Sequence, residues 1–280
     1  MVPNVLAPGR RRLASLALIA VLGAAFAAPG GAVAETVPVE PAALTAAETA
    51  MVAALNVDRT ERGLVPVRVD IRLMAIARAR SDDMVANDYF SHVQPDGRNV
   101  FNILTAQGIK WYTAGEIIAW NGYDMDLTTD AANRQWMNSA GHKAIIISTN
   151  FNYVGVGLAV DPATGKKVWT AVYLKGPDRT SARLAVYTPR VTTGTTSSTR
   201  YVKVAWSGSD VRLQVLTAGL RGYTIQRRTD GGAWTTISSL TTLRTKTMLL
   251  RIGHRYEFRV LARDWAGNQS RWITRVADLR

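Results

Sequence analysis

Three short segments, YFSH at residues 89–92, GE at 115–116 and WMNSAGH at 136–142, hold the side chains that suggest chemistry in this 280-residue chain. The sequence contains three histidines, and two of them, His92 and His142, lie in these segments. Glu116 lies between them and is followed by an apolar run. A carboxylate at the mouth of a predicted strand, with an imidazole on either side of it in sequence, predicts a common cleft.

The types of these side chains leave three roles open. Two imidazoles and one carboxylate are a common catalytic zinc set, so zinc is the candidate cofactor, with His92, Glu116 and His142 as its candidate ligands. The same residues suit a histidine base with an orienting acid, or a hydrogen-bonded trio that only holds two loops together. Ser139 lies three residues before His142, but the absence of a glycine–serine elbow disfavours a serine hydrolase.

Further motifs on either side of these segments form an ordered set between residues 46 and 175, including LNVDR at 55–59, GL at 63–64 and VGVG at 154–157. The set resembles the CAP superfamily (cysteine-rich secretory, antigen 5 and pathogenesis-related 1 proteins), and its bacterial secreted branch most closely. This resemblance implies an α-β-α sandwich whose cleft contains both histidines and the glutamate. It also implies a role in binding, signalling or defence, because no common catalytic activity unites the family.

Two positions depart from the family pattern. The second acidic residue of the family cleft falls at Ser139, and the asparagine that usually follows the glutamate is Ile117. A cleft with one carboxylate binds a divalent cation less strongly than a cleft with two. The resemblance therefore implies a ligand site at His92, Glu116, His142 and Ser139 in which a metal is held weakly.

The N-terminus has the pattern of a secretory signal peptide. Three arginines at residues 10–12 precede an apolar run at 13–28 and the small-residue motif AVA at 32–34. We expect residues 1–34 to be cleaved and the mature protein to be secreted or associated with the cell envelope. The alternative is an uncleaved anchor, although the apolar run is shorter than the ~20 residues that span a bilayer. The chain has no cysteine, which excludes a disulfide framework and a cysteine nucleophile.

Helix signals fill the first half of the predicted CAP domain, residues 35–175. A capping box at Thr45 predicts the start of one helix, because Glu48 stands three residues later. Asp70 is predicted to cap a second helix. The charged side of that second helix, which includes Arg80, is interpreted as a solvated face.

The sequence of the second half of this domain predicts one more long helix and a hairpin. The helix is expected to run through Trp136 and to carry Ser139 and His142 at its C-terminal end. Residues 153–159 and 167–174 are apolar and β-branched and flank a turn, so they predict an antiparallel hairpin.

The pattern changes after residue 175. Residues 176–182 are predicted to be a linker, and the alternation at 201–206 and 256–262 predicts strands. Tyr256 and its upstream neighbours resemble a tyrosine corner. We predict that residues 183–280 form a fibronectin type III-like β-sandwich. The predicted fold class is therefore α+β, a CAP-type α-β-α sandwich followed by an all-β immunoglobulin-like sandwich.

Positive charge is concentrated in this C-terminal part. From residue 183 onward there are 17 lysines and arginines against 5 aspartates and glutamates, which gives +12 of the chain's net +13. Such a surface suits an anionic cell-wall polymer, polysaccharide or lipid, and the competing interpretation is general solubility. Nucleic acid is disfavoured as a partner, because the sequence shows no recognition helix or RNA-binding signature.

These features favour a secreted, non-catalytic binding module. Its cleft is expected to take a divalent metal or a small ligand, and its basic β-sandwich to dock it at the cell surface. The alternatives are a metal-assisted hydrolase of cell-wall or peptide material and a purely structural or adhesive surface protein.

Overall fold

The computed structural model describes residues 44–280. The predicted signal peptide, residues 1–34, lies outside the described residues. Within the described range, no helix is long and apolar enough to cross a bilayer.

The part of the described chain up to residue 175 alternates helices and strands. Its strands form one four-stranded sheet in the order β1-β3-β4-β2, in which β1 runs parallel to β3 and the other pairs are antiparallel. Strand β2 is therefore an edge strand. The elements are α1 (Ala46–Thr60), β1 (Arg68–Val69), α2 (Ile71–Ala86), α3 (Val100–Ala106), β2 (Thr113–Asn121), α4 (Thr128–Asn138), α5 (Ala140–Ile146), β3 (Tyr153–Val160) and β4 (Lys167–Lys175).

The helices cover both faces of this sheet and make three layers. Helices α2 and α3 pack on one face through buried residues such as Leu73 and Leu104. Helices α1, α4 and α5 pack on the other face, where Leu55, Trp136 and Ile146 are fully buried. Burying apolar side chains on both faces of the sheet removes most of its area from water. The arrangement agrees with the predicted α-β-α sandwich.

Several local signals in the sequence are confirmed. The Thr45 hydroxyl accepts a hydrogen bond from the Glu48 amide at 3.2 Å, and the Glu48 carboxylate accepts one from the Thr45 amide at 2.8 Å. Asp70 caps α2 by accepting from the amide of Arg72 at 3.0 Å. The predicted hairpin is formed by β3 and β4.

Two glycines of the VGVG motif let α2 lie directly on β3. A Cβ on Gly155 would lie 2.1 Å from the backbone carbon of Leu73, and one on Gly157 would lie 2.2 Å from the backbone nitrogen of Arg78. Such contacts are impossible without moving the helix. This close approach fixes the distance of α2 from the sheet, and with it the position of every side chain that α2 sends toward β2.

The remainder of the chain is all β. Two antiparallel sheets, β10-β7-β5 with β6 also paired to β7, and β12-β11-β8-β9, pack on a common core that includes Trp206, Tyr223 and Phe258. The strands are β5 (Arg183–Val186), β6 (Arg190–Thr193), β7 (Thr199–Ser209), β8 (Leu220–Thr229), β9 (Thr235–Thr241), β10 (Thr245–Arg251), β11 (Arg255–Asp264) and β12 (Ile273–Asp278).

The hydroxyl of Tyr256 donates to the backbone oxygen of Arg251 at 3.2 Å. This bond ties the start of β11 to the end of β10, as in a tyrosine corner. At the turn between β8 and β9, Asp230 and Gly231 have φ of 50° and 76°. Two successive residues with positive φ are typical of the tight turns that match strand twist.

Residues 176–182, predicted to be a linker, are partly packed against the rest of the described chain, although Arg179 and Ser181 are exposed. Gly176, Asp178 and Ala182 are buried. The side chain of Asn152 is fully buried, and it donates to the backbone oxygens of Gly176 at 2.8 Å and Val215 at 3.3 Å. These bonds anchor both the connecting segment and the β7–β8 loop to the sheet of the first part.

Leu213, in the same β7–β8 loop, is 3% exposed and belongs to the apolar cluster that contains Leu73 of α2. The side chain of Gln214 accepts from the amide of Val65 at 2.7 Å. The all-β part and the helical part therefore share an apolar core and polar contacts, which hold the two parts in contact through more than the single connecting segment of chain.

Candidate functional site

Glu116 lies on the edge strand β2, and its partner was missed in the sequence. Arg80 of α2 donates from Nε to Glu116 Oε1 at 2.9 Å and from a second nitrogen to Oε2 at 3.5 Å. The side chains of Arg80 and Glu116 are 1% and 3% exposed. The interpretation of Arg80 as part of a solvated face is wrong. A buried carboxylate is stable only when it is paired and hydrogen-bonded, and Arg80 provides that pairing.

The segment after α2 completes this buried network. Arg80 also donates to the Tyr89 hydroxyl at 2.7 Å and to the backbone oxygen of Ser91 at 2.8 Å. Tyr89 in turn donates to the carboxylate of Asp83. These bonds hold residues 89–91 against α2, and they set the position of the histidine that follows.

His92 contacts Glu116 directly. Its Nδ1 lies 2.8 Å from Glu116 Oε2, while its side chain remains 51% exposed. The ring centroids of His92 and His142 are 6.5 Å apart and tilted by 59°. The structure thus brings His92, Glu116 and His142 together at the exposed edge of the sheet, although they come from a loop, a strand and a helix.

The sequence predicted that the helix containing Trp136 also carries Ser139 and His142 at its C-terminal end. That prediction is wrong, because His142 lies on a separate helix. Helix α4 ends at Asn138, and Ser139 has φ of −93° and ψ of 120°, which is extended backbone. The short helix α5 then starts at Ala140 and carries His142. Ser139 is half-buried and lines the same cavity as His142, so the break directs both side chains toward β2.

The electrostatics of the site follow from burial. Burial lowers the pKa of His142, and the nearby His92 adds a smaller repulsion in the same direction. Burial also raises the pKa of Tyr89 to about 12, supported by its bond to Asp83. Near neutral pH the His142 imidazole is therefore uncharged and the Tyr89 phenol remains a donor.

Two cavities adjoin the three residues. One, of about 380 Å³, lies beside His142 and Ser139. Its other walls are mostly aromatic or apolar and come from Phe90, Ile118, Ala119, Trp120, Gln135 and Trp136. The second, of about 290 Å³, lies on the other side of Glu116 and His92, next to α3. Trp120 is 50% exposed, so one wall of the first cavity is open to solvent.

A three-ligand zinc site does not fit this arrangement. Both oxygens of Glu116 are engaged by Arg80 and His92, and Ser139 offers no carboxylate. Two imidazoles remain, whereas zinc sites use three or four protein ligands. Across residues 44–280, the only three acidic, histidine or cysteine side chains with donor atoms within 4.8 Å of one another are Asp178, Asp210 and Asp264, which lie elsewhere.

The arrangement can orient an imidazole. A carboxylate bonded to Nδ1 fixes the ring and stabilises its charged form, as in base–acid pairs of enzymes. Here the same carboxylate already compensates the charge of Arg80, so less of its charge is left for the imidazole. The pKa of His142 is lowered by burial, and its ring has no hydrogen-bond partner in the part of the chain that the structure describes.

Sequence comparison relates the first part of the chain to a known family. The model of the cysteine-rich secretory protein family (CAP) matches residues 52–173. YkwD of Bacillus subtilis is 34% identical over 134 residues, which are 48% of this chain and 49% of YkwD. YlbC of the same organism, described as a membrane protein, is 30% identical over 47% of this chain and 35% of its own length. The chain thus spans about half of the first relative and a third of the second.

Solved structures give two further likenesses. An extracellular protein with an SCP domain from Bacillus anthracis is 25% identical, with a TM-score of 0.41, over 48% of this chain and 45% of that chain. An outer surface protein of Borrelia burgdorferi is 17% identical, with a TM-score of 0.41, over 46% of this chain and 92% of that chain.

Proposed function

We propose that the chain, whose residues 52–173 match the model of the CAP family, is an exported, non-catalytic binding module. Its cleft binds a small amphipathic ligand beside His142. Its basic C-terminal part, residues 183–280, holds the module at an anionic cell surface.

The observation that carries the ligand proposal is the engagement of Glu116. Because Arg80 and His92 occupy both of its oxygens, Glu116 cannot act as a free base without breaking a buried pair. His142 remains as an uncharged imidazole, whose ring N–H can donate to a ligand oxygen, beside an aromatic cavity of about 380 Å³. A mostly apolar cavity with a few convergent polar groups is the usual form of a small-molecule site.

The ligand proposal can be tested with decanoate as the amphipathic probe, followed by calorimetry and by tryptophan fluorescence, since Trp120 lines the cavity. His142→Ala should weaken binding about tenfold, because one charge-assisted hydrogen bond is lost. His254→Ala is the matched control, because His254 lies outside the CAP domain and pairs with Asp230. Equal binding by both variants, or none by the wild type, would contradict a site at His142.

The metal-assisted hydrolase is the second candidate, favoured only by the His92–Glu116 contact at 2.8 Å. It requires zinc to bind tightly and a peptide, ester or glycan substrate to turn over. Zinc calorimetry on the wild type and on Ser139→Glu tests the first requirement, because the substitution adds the carboxylate that the family cleft usually has. Turnover that chelation abolishes would replace the binding proposal with the hydrolase.

Export is supported by the sequence of residues 1–34 alone. Its test is the N-terminus of the protein recovered from medium or envelope, which should be Glu35 within a residue or two. Recovery with an intact Met1 would show retention of the segment.

We further propose that residues 183–280 are fibronectin type III-like. Two features support this: two four-stranded sheets enclose one core, and Tyr256 makes the corner bond to Arg251. The net charge of +12 then suits docking on an anionic polymer or lipid. Docking predicts binding that weakens steeply with salt, because exposed charges are screened over about 8 Å at physiological ionic strength. Binding that salt leaves unchanged would argue against it.

A further inference from the structure

The outer face of the sheet β12-β11-β8-β9 carries a stack of arginine and tryptophan side chains. The Arg259 guanidinium lies 4.4 Å from the ring centre of Trp234 and 4.5 Å from that of Trp272. Arg228 lies 4.7 Å from the ring centre of Trp234. Arg259 Nε donates to the side-chain oxygen of Gln226 at 2.7 Å. The guanidinium of Arg259 is thus held between two indoles by contacts that use little of its donor capacity.

The charge of Arg259 has no acidic partner within residues 44–280. Glu257, the acidic residue two positions before it on the same face of β11, is bound by Arg228 and Arg255. Strand alternation places Arg263 on that outer face as well, about 13 Å along β11, since Val260 and Ala262 point into the core. The face therefore presents a fixed, unneutralised guanidinium in a row of arginines.

We propose that this face is the docking surface for an acidic glycan chain, with Arg259 binding a carboxylate or other oxyanion of the sugar. The proposal rests on the proposed docking role of residues 183–280 and names its site and ligand class. A guanidinium offers planar, paired donors that match an oxyanion, and it stacks on aromatic rings while doing so. Holding it between Trp234 and Trp272 lowers the entropy lost on binding.

An acidic glycan fits the face better than a lipid surface does. The strands of this sheet contain arginine but no lysine; the two lysines of residues 183–280, Lys203 and Lys246, lie on the opposite sheet. Trp272, which is 37% exposed, offers a flat apolar surface to a sugar ring. The tryptophans can stack on the sugar rings of an acidic glycan, and the neighbouring arginines can bind its oxyanions.

The test uses the full chain and two glycans of equal length, an oligogalacturonate and a neutral oligoglucan, with binding measured by calorimetry at fixed salt. The wild type should bind only the acidic glycan. Arg259→Gln should weaken that binding by roughly ten- to a hundredfold, which is the loss of a charge-assisted pair. Arg259→Lys should weaken it nearly as much, because an ammonium keeps the charge and loses the planar donors.

Arg190→Gln is the matched control, because it removes the same charge from an exposed strand of the other sheet. It should change affinity less than about twofold, the effect of one distant surface charge. Equal losses in Arg190→Gln and Arg259→Gln, or no loss in Arg259→Lys, would overturn the site at Arg259 while leaving electrostatic docking intact.

Failure of the docking role itself is distinguishable from failure of the site. Wild type that binds neither oligogalacturonate nor phosphatidylglycerol vesicles would refute docking. Wild type that binds the vesicles and not the glycan would overturn the assignment of a glycan as the ligand.

Trp272→Ala tests the contribution of the arginine–tryptophan stack without altering charge. Thermal unfolding of each variant separates loss of binding from loss of fold. A folded Trp272→Ala protein with wild-type affinity would remove the stack from the explanation.

Discussion

Removing Arg80 should destabilise the helical part of the chain, residues 46–175, far more than removing an arginine from a surface pair. Arg80→Met keeps most of the side-chain length but leaves Glu116, whose side chain is 3% exposed, without its guanidinium. Breaking a buried pair from one side typically costs about 3–5 kcal/mol, because an uncompensated charge stays in the interior. Tyr89 and the Ser91 carbonyl lose a donor as well, which places the expected loss in the upper half of that range.

The measurement is urea unfolding followed by far-ultraviolet circular dichroism, since all α-helices of the described chain lie between residues 46 and 146. Arg98→Met is the matched control, because Arg98 pairs with Asp96 and the two side chains are 60% and 48% exposed. It should leave the free energy of unfolding almost unchanged, because exposed ion pairs contribute little. The double variant Arg80→Met/Glu116→Leu should recover most of the loss, because it replaces the pair with apolar groups. Equal losses in Arg80→Met and Arg98→Met would refute the reasoning.

Three further outcomes follow from the structure. His142 should titrate below the ordinary pKa of ~6.5 in an NMR titration, because burial lowers its pKa. The free energy of unfolding should therefore rise with pH between the lowered pKa and ~6.5, where only the unfolded chain still binds the proton. His92→Ala should raise the pKa of His142 only slightly, because burial is the larger cause. Gly155→Ala should cost about 3 kcal/mol or more in urea unfolding, since its Cβ would lie 2.1 Å from the α2 backbone. The wild type should resist proteolysis within residues 176–182, and Leu213→Ala should make that segment cleavable at a cost of about 2–5 kcal/mol, because it opens a cavity between the two parts; an uncut variant would contradict this.

Local signals in the sequence predicted the local structure well. The Thr45 capping box, the Asp70 cap and the β3–β4 hairpin depend on neighbouring residues, whose chemistry is readable in the sequence. The break at Ser139 was missed although Gly141 lies nearby, because the segment has no proline and Ser139 is not a distinct stop signal. The extended residue lies between Trp136 of α4 and Ile146 of α5, which are both buried in the same core.

The packing of residues 176–182 against the rest of the chain could not be predicted from the sequence either. The composition of residues 176–182, rich in small and polar residues, is typical of a linker. The segment is nevertheless fixed by groups far away in the chain, such as the side chain of Asn152 and the loop that carries Leu213. Contacts between residues so far apart in the chain produce no periodic pattern or fixed spacing, so a single sequence does not reveal them. The domain boundary at residues 176–182 therefore stays a prediction, and the proteolysis experiment tests it.

Arg80 is the instructive error, because its signal was present. It lies seven residues after Leu73 and four before Met84, both fully buried, and so falls on the apolar stripe of α2 rather than opposite to it. Its charge was given more weight than its position. An arginine on a buried stripe requires hydrogen-bond acceptors within reach, and Glu116, which is followed by an apolar strand, is a candidate acid for that role. The position of Arg80 therefore predicts that the glutamate of the cleft is compensated by a cation from within the domain. A carboxylate already paired in this way favours binding over metal-assisted catalysis in this protein.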